Sequence, residues 1–505
     1  MTKLSAVAGM TTILLMLTAC TAGPDYQRPA ASVPAAYKEA ANEVANWRVA
    51  RPADAIDPGA WWSVYHDPVL DGLERQIDIS NQTLKAAEAA FRQAEAIVAQ
   101  ARAGFFPTAQ INASATRSRG GGGAGASAGR SGSGSISNFF SIAGSASWIL
   151  DLWGKVSRAV EGDVATAQAD AGDVANARLA AQGQLATDYV QLRVADELKR
   201  LLEAAVKGYS ESLRISQNQY DAGITSASDV AQARTQLEST KAQAIATGVL
   251  RAQLEHAIAV LIGKPPAELA IATVASVPAL PDIPAGLPST LLERRPDIAA
   301  AERRMAAANA QIGVAEAAFF PAVTLSANSG SAAATLGKLL SASSRIWSFG
   351  STLVETVFDA GARHAQVEEA RAQFDATVAD YRQTVLTGFQ QVEDELAALR
   401  ILAEQAAAED IAVASSREAE RIILNQYKAG TVAFTAVVVA QTAALTNAEA
   451  ALSVRQSRLV ASVALIQALG GGWDAAQVPD REHIESDSPL NFSPLPPADS
   501  WPKLW

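Results

Sequence analysis

Few residues in this chain have the types and spacing needed for catalysis or metal binding. No histidine lies within metal-ligand spacing of another or of the single cysteine: the four are His66, His256, His364 and His483. The adjacent carboxylates Glu368 and Glu369 fall in a long helical pattern, where such pairs are usually part of a solvated face. The Gly-rich stretch 120–134 lacks the Gly-Lys-Ser/Thr ending of a phosphate-binding loop and is predicted to be a flexible connection. We therefore expect no enzyme, no metal and no cofactor.

The one cysteine, Cys20, indicates a different chemistry. It ends the sequence Leu17-Thr18-Ala19-Cys20, which follows Lys3 and a mostly apolar stretch over residues 6–17. That stretch is too short to span a bilayer, so residues 1–19 are predicted to be a signal peptide. Leu-Thr-Ala-Cys resembles the bacterial lipobox, whose cysteine is diacylated before cleavage, although an ordinary signal with a chance cysteine would look similar. The resemblance implies lipidation at Cys20, and the absence of Asp after it points to the outer membrane.

Composition narrows the possible classes of protein. Hydrophobic residues make up 49% of the 505 residues and charged residues 18%, which is too apolar for a disordered chain. The net charge of −11 argues against nucleic acid as a partner, because nucleic-acid binding requires a basic face. Beyond the N-terminus we find no apolar run of about 18 uncharged residues, so no membrane-spanning helix is expected.

The chain contains an internal duplication. Three phrases recur, the first after 214 residues and the others after 207: Ala103–Pro107 with Ala317–Pro321, Gln219–Gly223 with Gln426–Gly430, and Ala259–Gly263 with Ile466–Gly470. Two copies of one unit can be related by a pseudo-twofold axis. Such a subunit suits a closed, symmetric assembly better than an enzyme with a single pocket.

Two regions change from helical to alternating periodicity. Alternation of apolar and polar residues predicts strands near 108–116, 140–150, 323–328 and 346–353. Strands of about ten residues are long enough to cross a membrane when tilted, and aromatic residues near their ends fit interfacial girdles. A soluble sandwich would show the same alternation and stays open on these residues alone.

Long helical patterns follow each strand pair. Lys155–Tyr220 and Arg363–Lys428 would each be roughly 100 Å long as uninterrupted helices. Each ends at Tyr-x-Ala-Gly and is followed by a second helix, about Ser228–Ile262 and Phe434–Leu469. These patterns predict two long helical hairpins with Gly223 and Gly430 at their tips, and an ordinary coiled coil remains an alternative. An earlier helical pattern runs from Asp71 to about Arg102.

Four strands cannot close a membrane barrel, since the smallest known barrels have about eight. An open sheet edge in lipid would leave backbone N–H and C=O groups without hydrogen-bond partners. Other copies of the chain must therefore complete the barrel. The strand count alone allows two, three or four subunits.

Several ordered motifs resemble those of the TolC-like outer-membrane factors, and among them the NodT-type lipoproteins of RND-class efflux systems. They span most of the mature chain: Asp67–Leu70, Leu287–Ile298, Ala301-Glu302, Ile312–Ala315, Phe320-Pro321 and Ala468–Trp473. The resemblance implies a mixed, mostly α fold in which four strands per chain complete a twelve-stranded trimeric β-barrel, continued by a long α-helical barrel with a small equatorial region. It also implies docking to a periplasmic adaptor protein and an inner-membrane RND transporter.

The expected organisation follows from these elements. It comprises a signal peptide (1–19), a lipidated leader and equatorial segment (20–69), a periplasmic α-barrel (70–104, 153–263, 296–318 and 357–470), outer-membrane strands (105–152 and 319–356) and equatorial segments (264–295 and 471–505). The predicted function is the passive exit duct of a tripartite RND-type efflux pump, anchored in outer-membrane lipid. A protein-secretion duct and a lipid-anchored scaffold without a pore are the alternatives.

The tunnel tip is the expected functional site. Asp221 and Asp229 flank Gly223 at one tip, and Lys428 precedes Gly430 at the other. Ion pairs between these groups would hold the tip closed, although exposed pairs contribute only about 0–1 kcal/mol each and the charges would also keep the turns soluble.

The helix after the second tip departs from the family. In several relatives it carries a leucine and, one turn later, an aspartate that form rings at the constriction. The matching residues here are Thr435 and Val439, so the acidic ring is missing at this place and an uncharged constriction is expected.

Overall fold

The computed structural model describes residues 21–39, 60–119, 136–274, 276–283 and 288–485. Cys20, the signal peptide and the predicted Gly-rich connection lie outside these ranges. The helices are α1 Pro68–Ser80, α2 Gln82–Arg102, α3 Lys155–Asp221, α4 Ala227–Leu261, α5 Pro288–Arg294, α6 Pro296–Ala317, α7 Ala362–Lys428, α8 Phe434–Ala468 and α9 Arg481–Ile484. The strands are β1 Thr108–Arg119, β2 Ile136–Ile149, β3 Ala322–Ala333 and β4 Arg345–Val354.

The predicted mixed, mostly helical architecture is confirmed. The strands form one antiparallel sheet in the order β1-β2-β3-β4, so the hairpin of each copy pairs with the other through β2 and β3. The helices α3 and α7 are each 67 residues long, and each returns through a 35-residue partner, α4 or α8. The molecule is therefore a four-stranded sheet placed at one end of two long helical hairpins.

The helix starts at the base of the sheet repeat the duplication. Gly154 and Gly361 precede α3 and α7 in the left-handed region, with φ of 75° and 91°. The Asp151 carboxylate accepts hydrogen bonds from the backbone N–H groups of Val156 and Ser157, both at 2.8 Å. Asp359 does the same for the N–H groups that begin α7. A carboxylate at a helix N-terminus satisfies free N–H donors and favours the helix dipole.

The prediction of one helix from Asp71 to Arg102 is wrong in one respect, because the helix is interrupted at Asn81. Its backbone is extended, its side-chain oxygen accepts from Leu84 N at 2.9 Å, and its amide donates to the Leu261 carbonyl at 2.7 Å. In the second copy Arg295 separates α5 from α6 and donates to the Ala468 carbonyl at 3.0 Å. In both copies one side chain thus fastens a helix joint to the C-terminal end of the returning helix.

The apolar core lies around the middle of the helices. One cluster joins α1, α3, α4 and α8 around the fully buried Trp61, Leu70, Tyr189 and Ile258. Trp61 Nε1 donates to Gln182 Oε1 at 3.2 Å, so the indole is buried with its polar atom satisfied. A second cluster joins α6, α7 and α8, and its members include Ile298, Tyr381 and Val392. The two largest clusters therefore lie midway along the helices, and smaller ones lie near the base of the sheet and at the tips.

The leader is extended and lies along the helices. Ala22 N donates to the Trp153 carbonyl at 3.0 Å, beside the base of the sheet. Farther along, Tyr26 OH donates to Glu302 Oε1 at 2.7 Å, and Arg400 Nη2 pairs with Glu39 Oε2 at 2.7 Å. Residues 21–39 thus connect the base of the sheet to the middle of α7.

The expectation that no helix is apolar enough for a membrane needs correction. By length and composition alone α4 and α8 qualify, each with an 18-residue window of mean hydropathy 1.2. An uncharged run of 18 residues is a stricter criterion than a window of that length with at most two charged residues, which both helices contain. Each packs as the returning arm of a helical hairpin beside α3 or α7.

Candidate functional site

The sheet has one apolar and one polar face across all four strands. The register pairs Ile111 with Gly144, Trp148 with Leu325, and Ala327 with Phe349, so the apolar residues of neighbouring strands share one face. Large side chains on this face are uncovered in one chain: Trp347 is 81% exposed and Phe349 74%. An exposed apolar face of this extent on a sheet indicates contact with lipid.

The opposite face of the sheet is lined mainly by small polar side chains, with Phe139, Ile149 and Ile346 among them. Ser114 and Ser141 are joined by their hydroxyls at 2.8 Å, and Ser118 and Ser137 at 3.0 Å. A concavity of about 230 Å³ lies on this side and is lined mainly by polar residues: Thr108, Gln110, Ser145, Ser147, Ser326, Asn328 and Ser348. The polar face of the sheet is therefore concave, as expected for the wall of an aqueous lumen.

Aromatic residues gather where the sheet meets the helices. Trp148 Nε1 donates to the Phe105 carbonyl at 3.0 Å, and Trp153 Nε1 donates to the Pro321 carbonyl at 2.8 Å. The Trp153 ring stacks on Phe320 at 4.8 Å. These contacts join the repeated Phe-Phe-Pro segments to the strand ends. Tryptophan side chains, which are apolar apart from one N–H group, are typical of a membrane interface.

The opposite end of the molecule consists of the two helical tips. Gly223 and Gly430 adopt φ of 71° and 76°, which residues with a Cβ rarely do. At each tip the backbone N–H of the next residue bonds back over the turn, Ile224 to Gln219 at 2.8 Å and Thr431 to Gln426 at 3.0 Å. Glycine is therefore required at both turns by the same helix-ending motif.

The charged residues predicted at the tips lie where expected, and each aspartate has a partner within its own hairpin. Gln217 Nε2 donates to Asp221 Oδ1 at 2.9 Å, and the Thr225 hydroxyl donates to Asp229. In the part of the chain that the structure describes, no ion pair joins Lys428 to either aspartate. An ion-pair lock among these residues would have to form between subunits.

Thr435 and Val439 lie one turn apart near the start of α8. Both are exposed in one chain, Val439 at 64%, whereas Phe434 before them and Val437 between them are buried. Thr435 and Val439 therefore face away from the chain's own core. The structure does not place them against another subunit or a lumen, so their role at a constriction stays a prediction.

The sequence analysis missed an aromatic core under the second tip. The Tyr427 ring lies 5.3 Å from Phe434, and its hydroxyl is 3.1 Å from Ser216 Oγ of the other hairpin. Tyr427 is 4% exposed, whereas its counterpart Tyr220 is 45% exposed. The signal was present in the duplication, because Ala227 occupies the place of Phe434 in the first copy and offers Tyr220 no ring to pack against.

Catalytic and metal-binding geometry is not evident. Within the described ranges no group of three His, Cys, Asp or Glu residues is placed to hold a metal ion. Some acidic residues on the long helices form exposed pairs one turn apart, such as Glu211 with Arg214 and Glu418 with Arg421. These pairs repeat at the 207-residue interval and are solvated structural features.

A family profile and individual relatives both match this chain over most of its length. The profile of the family described as outer membrane efflux protein matches twice, over residues 74–264 and 287–471. Over 463 residues the chain is 32% identical to the toluene efflux pump outer membrane protein TtgC of Pseudomonas putida, covering 91% of this chain and 94% of that protein. It is 28% identical to the cation efflux system protein CusC of Escherichia coli, covering 91% and 97%.

Solved structures resemble the fold over nearly the same length. The outer-membrane channel OprN has a TM-score of 0.82 at 30% identity, covering 90% of this chain and 100% of that one. The open state of the MtrE outer membrane channel of Neisseria gonorrhoeae has a TM-score of 0.78 at 27% identity, covering 90% and 99%. Both helical hairpins and the sheet therefore have counterparts in outer-membrane channels.

Proposed function

The chain belongs to the outer membrane efflux protein family, and on that premise we propose that it is the exit duct of a tripartite RND-type efflux pump. It would conduct small toxic compounds or drugs passively from the periplasm to the exterior. This proposal rests on the sheet. One face of the sheet is apolar, the other is polar and concave, and the sheet lies at the end of 67-residue helices. The names of the relatives range from toluene to cation efflux, so the substrate class is kept broad.

Closure of the barrel requires several copies of the chain, and we propose three, the number that the family resemblance implies. The strands β1 and β4 form the two edges of the sheet in one chain, and lipid offers no hydrogen-bond partner to an open edge. Pairing β4 of one copy with β1 of the next would make a twelve-stranded barrel from three chains. The four segments of the predicted periplasmic α-barrel would continue it as a tunnel: 70–104, 153–263, 296–318 and 357–470. The equatorial segments would be 264–295 and 471–505.

Cys20 is proposed as the lipid anchor. Thr21 follows it and lies beside Gly154, and Ala22 is bonded to Trp153 at the base of the sheet. The aromatic residues there fit the periplasmic interface of the membrane. A diacylglyceryl group on the residue before Thr21 would therefore reach the inner leaflet without any rearrangement of the leader.

The tips are proposed as the gate and as the end that faces the inner-membrane partners. The partners would be a periplasmic adaptor protein and an RND transporter, which drives transport. Asp221, Asp229 and Lys428 would form ion pairs between neighbouring hairpins around the ring. Thr435 and Val439 would provide an uncharged constriction, since apolar rings gate by dewetting whereas carboxylate rings attract cations.

Conductance and drug susceptibility together test this function. Purified protein should open ion-conducting channels in planar bilayers, and its deletion should sensitise the parent strain to toxic compounds. Two glycines of the sheet provide a matched pair of variants. A Cβ at Gly330 would lie 2.2 Å from the Ile142 carbonyl oxygen, whereas Gly350 has open space.

Gly330→Val should therefore abolish conductance and complementation, and Gly350→Val should keep both. A wild-type protein without conductance would refute the exit-duct proposal, and a Gly330→Val variant that still restores resistance would refute the sheet packing invoked at Gly330.

A further inference from the structure

The charges of the sheet are distributed unusually for an acidic protein. No Asp or Glu occurs between residues 108 and 150 or between 321 and 354, although the whole chain carries a net charge of −11. The strands β2 and β3 contain no charged residue at all. The charged residues of the four strands are arginines: Arg117 and Arg119 on β1 and Arg345 on β4.

All three arginines lie at the same end and on the same face of the sheet. Arg117 and Arg119 end β1, and Arg345 begins β4, so they occupy the strand ends farthest from the helices. The register pairs Arg119 with Ile136 and Arg345 with Ser331, which places the three on the apolar face. With the helices in the periplasm, this position is the outer rim of the membrane-facing surface.

These side chains are available to a ligand. All three are exposed, and among the described residues they form no hydrogen bond or ion pair. Arginine on a lipid-facing barrel surface is costly at the midplane of the bilayer and nearly neutral at its edge. Placement at the rim avoids that cost, but it does not explain why every charge there is positive.

The two groups of arginines belong to opposite edges of the sheet. In the proposed trimer β4 of one chain meets β1 of the next, and matching apolar faces bring Arg345 and the neighbour's Arg117 and Arg119 to one junction. On the basis of that trimeric barrel, we propose that each junction binds the phosphate groups of an anionic lipid of the outer leaflet. Guanidinium groups bind phosphate oxygens in a bidentate manner. Just inside the rim on β4, Trp347 and Phe349 supply apolar contact for acyl chains.

A lipid fits this surface better than a soluble polyanion does, because the arginines share a face with uncovered aromatic side chains. A soluble anion would bind the arginines and leave the aromatic rings uncovered, whereas a phosphorylated lipid would contact the arginines and the rings. The ligand is therefore expected to carry phosphate and acyl chains in one molecule.

Native mass measurement of the purified protein in detergent tests the proposal and counts subunits at the same time. The probes are bisphosphorylated lipid A, the same lipid A after dephosphorylation, and phosphatidylglycerol. Wild type should retain the bisphosphorylated lipid most strongly, and NaCl raised from about 50 to 500 mM should weaken that retention by screening. The variant R117Q/R119Q/R345Q should raise its Kd by about tenfold or more, since each basic residue near an anionic surface contributes measurably.

The matched control is R75Q/R92Q/R382Q, which removes three exposed arginines from the helices and should keep wild-type lipid retention. Trimers that bind the two forms of lipid A equally would overturn the phosphate site while leaving the exit duct intact. Equal binding of phosphatidylglycerol would overturn the assignment to a lipid of the outer leaflet. Equal loss in the control variant would overturn it as well. A monomeric protein would overturn both this site and the proposed barrel.

Discussion

Glu74 provides the sharpest test of the helical core. Its side chain is fully buried on α1, and neither carboxylate oxygen has a hydrogen-bond partner among the described residues. Burial raises the pKa of Glu74 well above its usual value, and the nearby Asp78 and Asp71 raise it further. The folded protein therefore holds a proton on this carboxyl that the unfolded chain releases near pH 4.3.

The sign of the pH dependence follows from that proton. Between the unfolded and the raised folded pKa the native state binds one more proton, so stability falls as pH rises through this window. The slope is about −1.4 kcal/mol per pH unit for each chain. Glu74→Gln stays uncharged at every pH and removes this slope. Relative to its difference from wild type at pH 5, the variant should gain about 1.4 kcal/mol for every pH unit below the folded pKa, and so at most about 4 kcal/mol by pH 8.

Unfolding midpoints followed by circular dichroism between pH 5 and 8 would measure the effect. The control is Glu369→Gln, an exposed carboxylate on α7 that should leave the pH dependence unchanged. Parallel curves for wild type and Glu74→Gln would refute the argument. So would a loss of stability in the variant at pH 8, because it would mean that an ionised Glu74 meets a cation in the assembled protein.

Three further predictions concern the joint, the anchor and the gate. Asn81→Ala removes two hydrogen bonds and should lower the free energy of unfolding by about 1–3 kcal/mol, whereas Gln82→Ala beside it should change the value by less than about 0.5 kcal/mol. Cys20→Ser should abolish fatty-acid labelling while the protein stays in the outer-membrane fraction; persistent label or a fully soluble variant would contradict one half of this. Val439→Asp should introduce block by divalent cations from the periplasmic side, and Lys428→Ala should raise conductance; strong block already present in wild type and removed by Asp229→Ala would place the charged ring at Asp229 instead.

The joints of the fold could be predicted because the duplication repeats glycines, and turns with positive φ accept few other residues. Gly223 and Gly430 mark the tips, and Gly263 and Gly470 end α4 and α8, all with positive φ. A Cβ at Gly470 would lie 1.9 Å from the Arg294 carbonyl oxygen, so the residue is required by close packing as well as by its conformation.

The break at Asn81 could not be predicted in the same way. Neither Gly nor Pro marks it, and the apolar periodicity continues through both α1 and α2. What ends α1 is a side-chain bond to Leu261, 180 residues away in the sequence. A contact of that range is invisible to any local pattern. The local signal at this place is Asn81 itself, a residue type favoured at helix N-termini, whereas Pro296 after Arg295 marks the boundary in the second copy.

The charged residues of the tips were evident from the sequence, whereas their partners were not. Asp221 and Asp229 are each bonded by a neighbour four residues away, which is possible on any helix end and needs no second subunit. Whether a charge also pairs across a ring depends on the assembly, and the assembly is encoded in surfaces rather than in motifs. The aromatic core under the second tip was predictable only by comparing the two copies position by position.

That core determines how the tip should open. Below the tips the two hairpins of one chain are joined by Ser216 with Tyr427 at 3.1 Å, and by Gln441 Nε2 donating to Ser212 Oγ at 3.0 Å. These polar bonds are buried, so breaking them would leave unsatisfied groups at about 1–3 kcal/mol each. Among the described residues, the tip residues that face away from this core form no buried bond between the two hairpins. We therefore expect the aperture to widen by separation of neighbouring chains, with the two hairpins of each chain moving as one body.

Spin labels at the exposed and equivalent positions Asn218 and Asn425 would follow this movement. In trimers with one doubly labelled chain, the distance between the labels should stay constant when Lys428→Ala loosens the tip. In trimers labelled at Asn425 alone, the distance between chains should increase. A constant distance between chains with a growing distance within one chain would show that the hairpins part from each other, and that the buried bonds around Tyr427 do not hold them together during opening.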